Sequence, residues 1–140
     1  ELTTEGGLDC VKYGRRIETV TGRLKTAGIT VSLFVDPVKS QVKAAAGTGA
    51  EFIEIHTGEY SNASDARSRR EKLKKLENAA AYAMSIGLRV NSGHGLNYLN
   101  VRDVARIRGM EELNIGHSII SRAAFVGLER AVKEMIALIR

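Results

Sequence analysis

Two glycine–histidine turns carry the residue types in this chain best suited to proton transfer and anion binding. They are Val90-Asn91-Ser92-Gly93-His94-Gly95-Leu96 and Asn114-Ile115-Gly116-His117-Ser118. Imidazole is the side chain whose ordinary pKa lies nearest neutrality, so a histidine on a loop is a natural general acid or base. Gly93 and Gly95 flank His94 and let the backbone take positive φ or come close to a ligand, which a Cβ makes costly. Gly116 and His117 precede a stretch at 118–121 that reads as the start of a short helix. The backbone N–H groups of a helix N-terminus bind phosphate or carboxylate directly. Each turn has a plainer alternative: a loop histidine hydrogen-bonded for structure in the first, a tight turn with a capping serine in the second.

A carboxylate joins these candidates. In Phe52-Ile53-Glu54-Ile55-His56, read as a strand, Ile53 and Ile55 lie opposite Glu54 and His56, placing the last two on one face. Glu54 either stabilises developing positive charge or holds a substrate hydroxyl; its plainer alternative is a salt bridge to Arg89. His56 reads as a supporting partner on the same face. Three histidines and one cysteine without close ligand spacing give no reason to expect a metal site. The run Arg67-Ser68-Arg69-Arg70-Glu71-Lys72-Leu73-Lys74-Lys75 raises nucleic-acid binding as an alternative. No aromatic residue is interleaved for base stacking, so the run reads as the solvated face of a helix, with Glu71 and Lys75 as an i,i+4 pair.

Four repeats of helix, glycine and strand position these loops, with glycines at Gly28, Gly49, Gly87 and Gly109. Cys10, Tyr13, Ile17, Val20 and Leu24 make one helical stripe, with Asp9 as N-cap. A strand at 29–35 follows, then a helix for which Asp36 is the expected N-cap and Pro37 the first residue. The second strand is 52–56. A polar loop at 57–64 leads to a long helix with Leu73, Leu76, Ala80 and Ala83 inward, and a third strand at 88–91. Asn100 is placed to cap a short helix before a fourth strand at 113–115. One last helix carries Phe125, Leu128, Val132, Met135 and Ile139.

Strands alternating with helices make a parallel sheet with right-handed crossovers. In a doubly wound sheet both strand faces meet helices and are apolar. Here one face carries Thr30, Ser32, Glu54, His56, Arg89, Asn91 and Asn114. A buried unpaired charge is costly, so that face must be paired, wet or functional. The lumen of a barrel that opens into an active site meets the requirement. The expected fold is α/β, four βα units of a TIM (β/α)8 barrel, with residues 1–140 the C-terminal portion of one barrel domain. A whole barrel takes about 250 residues, and four strands alone would leave both edges unpaired.

The 140 residues carry a net charge of +5, which suits phosphorylated small molecules and nucleic acid equally. No apolar run reaches the length of a membrane span and no signal-like segment opens the chain. A single cysteine excludes an internal disulfide and fits a reducing cytosol. The opening Glu1-Leu2-Thr3-Thr4-Glu5-Gly6-Gly7 reads like a loop already under way, so the chain is expected to be a piece of something longer.

Four stretches together carry a resemblance. Thr3-Thr4-Glu5-Gly6-Gly7-Leu8-Asp9, Phe52-Ile53-Glu54-Ile55-His56-Thr57-Gly58, the Val90–Leu96 loop and Glu112-Leu113-Asn114-Ile115-Gly116-His117 resemble, in order and spacing, the pyridoxine 5'-phosphate synthase family. The resemblance runs the length of the chain and implies a cytoplasmic, homo-oligomeric enzyme with no organic cofactor or obligatory metal and no nucleic-acid or membrane partner. That family condenses 1-deoxy-D-xylulose 5-phosphate with 3-amino-2-oxopropyl phosphate to pyridoxine 5'-phosphate, releasing inorganic phosphate and water. By resemblance, His94 matches the proton donor and Glu54 the transition-state stabiliser. Thr3 matches a contact to the deoxyxylulose phosphate, and Gly95, Gly116 and His117 match the site for the amino-oxopropyl phosphate. The family's other histidine and glutamate bases and its N-terminal arginines have no counterpart here, so this chain alone implies an incomplete active site. Another phosphosugar isomerase or aldolase of the same fold is the nearest rival; a chain that is inert alone and scaffolds the missing half is another.

Overall fold

A computed structural model describes residues 6–140. Its chain order is α1 (Cys10–Thr26), β1 (Ser32–Val35), α2 (Lys39–Gly47), β2 (Phe52–His56), α3 (Gly58–Ser61), α4 (Ala66–Ser85), β3 (Arg89–Gly93), α5 (Val101–Ala105), β4 (Met110–Asn114), α6 (His117–Val126) and α7 (Leu128–Ile139). The strands form one sheet in the order β1-β2-β3-β4, every neighbouring pair parallel.

The alternation along the strands decides which face is buried. Leu33, Val35, Ile53, Ile55 and Val90 point to one side and are buried there against Val42, Ala45, Leu76, Ala80 and Ala83 of α2 and α4. Burying each large aliphatic side chain contributes about 1.5–3 kcal/mol, so this face anchors the sheet. The opposite face presents Phe34, Glu54, His56, Asn91 and Asn114. Phe34 and Asn91 both lie opposite Glu54 in the register, and Gly93 lies opposite His56. Between β3 and β4 the register shifts by one residue: Val90 pairs with Met110, but Asn91 pairs with Glu112. The bulge leaves Glu111 over, and its carboxylate takes up the guanidinium of Arg89, with Nε at 2.9 and 3.0 Å. Arg89 therefore pairs with Glu111, and also stacks over Phe52 at 4.2 Å.

Asp9 caps α1 as its type predicts, accepting from the Lys12 N–H at 3.0 Å. Asp36 does not cap α2. That helix starts two residues later, after Val38, because the Asp36 carboxylate is engaged across the sheet with His56. Asn100 precedes α5 without capping it; its side chain instead braces the preceding loop, accepting from Asn97 N–H and donating to the Gly95 carbonyl. The 57–64 stretch contains the short α3. Glu71 pairs with Arg67, while Lys75 and Lys72 both reach Glu59.

The last helix is two. Gly127, at φ 83° and ψ 152°, takes a conformation open to glycine alone and turns the chain between α6 and α7. Phe125 consequently falls in the last turn of α6, 87% exposed, while Ala131 and Met135 bury the inner side of α7. Glu134 joins the two helices. It accepts from Arg122 Nε at 2.8 Å and from Arg130 Nε at 2.9 Å, and those guanidiniums, Arg122 first, lower its carboxyl from the usual 4.5 to about 2. A folded pKa below the unfolded one contributes stability that is full above pH 4.5 and is lost as pH falls toward 2. Glu134→Gln is expected to lower Tm at neutral pH, with the gap from the unsubstituted protein closing as pH falls through that window. A gap unchanged with pH in thermal melts contradicts the pairing.

Candidate active site

The C-terminal ends of the strands open onto one cavity of about 630 Å³, lined by residues that include Phe34, Glu54, Asn62, His94, Gly95, Asn114, Gly116, His117 and Ser121. Of the candidates read from sequence, Glu54, His94, Gly95, Gly116 and His117 are thus brought together. Thr3 lies outside the described residues.

Glu54 rises from the middle of β2, where the strand's alternation turns it away from the core. Its carboxylate accepts from Asn114 Nδ2 at 2.7 Å, not from Arg89. Gly93 makes room for it: a Cβ there would stand 2.3 Å from Glu54 Oε1 and 3.0 Å from the Asn114 carbonyl oxygen. Asn91, beside Glu54 in the register, is buried and its Oδ1 has no hydrogen-bond partner among the described residues.

His94 has φ 80°, the one non-glycine residue with positive φ among the described residues. Such a backbone costs about 1–3 kcal/mol and persists only where the surroundings over-determine it. Thr57 supplies the constraint. Its fully buried hydroxyl lies 2.6 Å from both the Gly93 and the His94 carbonyl oxygens, and its N–H donates to Gly93 at 2.9 Å. Gly95 continues at φ 75°, and a Cβ on it would meet Ser61 Cβ at 2.7 Å. Tyr60 donates to the Asn100 carbonyl at 2.7 Å; burial pushes its phenol above the usual range, keeping it a neutral donor.

The first turn of α6 forms the opposite wall. Gly116 is its N-cap residue and His117 its first, and Ser118 ties the turn to the loop after β3 by donating to the Leu96 carbonyl at 2.9 Å. A ten-residue helix presents N–H groups and positive dipole at this end. The cavity therefore joins a carboxylate, an imidazole on a braced loop and the N-terminus of a helix. Among the described residues no three His, Cys, Asp or Glu side chains gather as a metal-binding group.

Residues 1–140 match throughout the family model described as "Pyridoxal phosphate biosynthesis protein PdxJ". The chain belongs to the PdxJ family. Curated relatives named pyridoxine 5'-phosphate synthase include those of Synechococcus sp. (strain JA-2-3B'a(2-13)), 58% identical over 96% of this chain, and Geotalea daltonii, 54% identical over all of it. A third, from Geobacter sulfurreducens, is 51% identical over the whole chain. The chain spans 56% of the length of the first and 59% of the others. Four consecutive parallel βα units, with their polar face turned to the cavity, are accordingly part of the (β/α)8 barrel of the PdxJ family.

Sequence reasoning missed three contributors. Asp36 was obscured by the Asp-Pro pattern of a helix start, although its place just after β1 is where barrels carry site residues. Thr57 and Ser61 read only as polar loop, yet they secure the carbonyl of His94.

Proposed function

We propose that these residues supply part of the active site of a pyridoxine 5'-phosphate synthase, within a single barrel domain. The observation that carries this is the shared cavity, where Glu54, His94 and the first turn of α6 converge. The reaction closes a pyridine ring from 1-deoxy-D-xylulose 5-phosphate and 3-amino-2-oxopropyl phosphate, and releases phosphate and water. Imine formation, dehydration and ring closure are proton transfers beside carbonyl or imine carbons. They call for positioned acids and bases and an anion cradle, without a strong nucleophile.

His94 donates the proton to the departing oxygen. Glu54, held by Asn114, sets its negative charge against the cationic character that develops at the imine. Gly95 gives backbone access to the amino-oxopropyl phosphate, whose phosphoryl group is held by Gly116, His117 and the N–H groups of α6. Thr3 contacts the deoxyxylulose phosphate. The substrates are phosphorylated small molecules, and the enzyme is a cytoplasmic homo-oligomer. Among the described residues no helix is long and apolar enough to cross a membrane. The ion pairs of Arg67, Lys72, Lys74 and Lys75 with Glu71, Glu59 and Glu77 favour a solvated helix over a nucleic-acid surface.

The test is turnover by the protein at the full length of its relatives. Both substrates together should yield pyridoxine 5'-phosphate and one released phosphate per turnover, and neither alone should react. Conversion of a single phosphosugar without the amine replaces this reading with an isomerase or aldolase.

A further inference from the structure

The imidazole of His56 is held on several sides. Its Nδ1 lies 2.8 Å from Asp36 Oδ1, and since an ionised carboxylate only accepts, Nδ1 carries the proton. Phe34 packs against the ring at 5.0 Å between centroids. Gly58 lies so near the other nitrogen that a Cβ there would stand 2.5 Å from Nε2. A further neighbour is His94, whose ring meets that of His56 edge-on, 4.9 Å between centroids and 74° between planes, an arrangement that aromatic quadrupoles favour.

Stability does not account for this packing. Nε2 is buried without a hydrogen-bond partner among the described residues, a cost to folding. The bond to Asp36 offers little return, because the Asp36 side chain is 45% exposed and water competes for its carboxylate. What the packing does supply is a fixed wall beside an imidazole whose own backbone is held at positive φ.

We infer that Asp36 and His56 are a positioning pair for His94: the carboxylate of Asp36 fixes the His56 ring, and that ring sets the orientation of the His94 imidazole in the cavity. Thr57 secures the backbone of His94 and the pair secures its side chain. The consequence for turnover rests on the proposed role of His94 as proton donor; the orientation itself does not.

The experiment uses the full-length protein with His56→Ala, Asp36→Asn, Asp36→Ala and the double substitution Asp36→Ala/His56→Ala. Misplacing a reacting group by an ångström costs up to about 100-fold, so His56→Ala should lower kcat about 10- to 100-fold. KM for each substrate should stay within about twofold, since neither residue is a phosphate contact. Asp36→Ala should lower kcat similarly, and the double substitution no further, as for residues acting as one unit. Independently of activity, Asp36→Asn should shift the imidazole NMR resonances of His94, assigned by their loss in His94→Asn. Additive effects on kcat, or His94 resonances identical with and without Asp36→Asn, overturn the pair. A full-length protein that folds but does not turn over the two substrates overturns the synthase reading alone, and the resonances still decide the positioning.

Discussion

His94→Asn in the full-length protein is expected to lower turnover by roughly two to four orders of magnitude, the usual contribution of general acid–base catalysis. Asparagine is the informative replacement because of the backbone. His94 sits at φ 80°, where asparagine is among the residues best tolerated. The Thr57 hydroxyl, within 2.6 Å of the carbonyl oxygens of Gly93 and His94, shares its one proton between the two and is indifferent to the side chain between them. The loop should keep its course and KM should change little, so the loss falls on kcat. Steady-state kinetics check this, and near-normal kcat removes His94 from the mechanism.

Gly93→Ala should separate activity from stability. The new methyl would fall 2.3 Å from Glu54 Oε1, the mobile end of a side chain that can swing aside at small cost. It also sits 3.0 and 3.1 Å from the Asn114 carbonyl oxygen and Cβ, a tight but not prohibitive fit. Tm should fall modestly. The carboxylate, however, is pushed from its bond to Asn114, and in the role proposed for Glu54 such a displacement costs about 100-fold in rate. Wild-type kcat in this variant would show that the placement of Glu54 does not matter to the reaction.

Local pattern carried much of the architecture. The alternation in Phe52–His56 made the second strand legible, because Ile53 and Ile55 turn to the core while Glu54 and His56 turn away from it. The cavity was legible as two glycine–histidine turns after successive strands, and both line it. What stayed hidden depended on distant partners. Nothing beside Asp36 in the sequence signals that His56 will take its carboxylate, so the local Asp-Pro pattern dominated. Apolar spacing continued across Gly127 and concealed the break between α6 and α7. Thr57 acts through the carbonyls of residues on the next strand and its loop, a relation with no periodic trace.

The one-residue bulge at Glu111 bears on how the chain can vary in length. Strand side chains alternate strictly, so an even ladder from Val90 onward would have set Leu113 opposite Gly93 and turned Asn114 outward, away from Glu54. The supernumerary residue acts as a phase corrector that restores Asn114 to the inner wall. Surface loops generally tolerate insertions and deletions, whereas the residue count between Met110 and Asn114 is dictated by the carboxylate across the sheet.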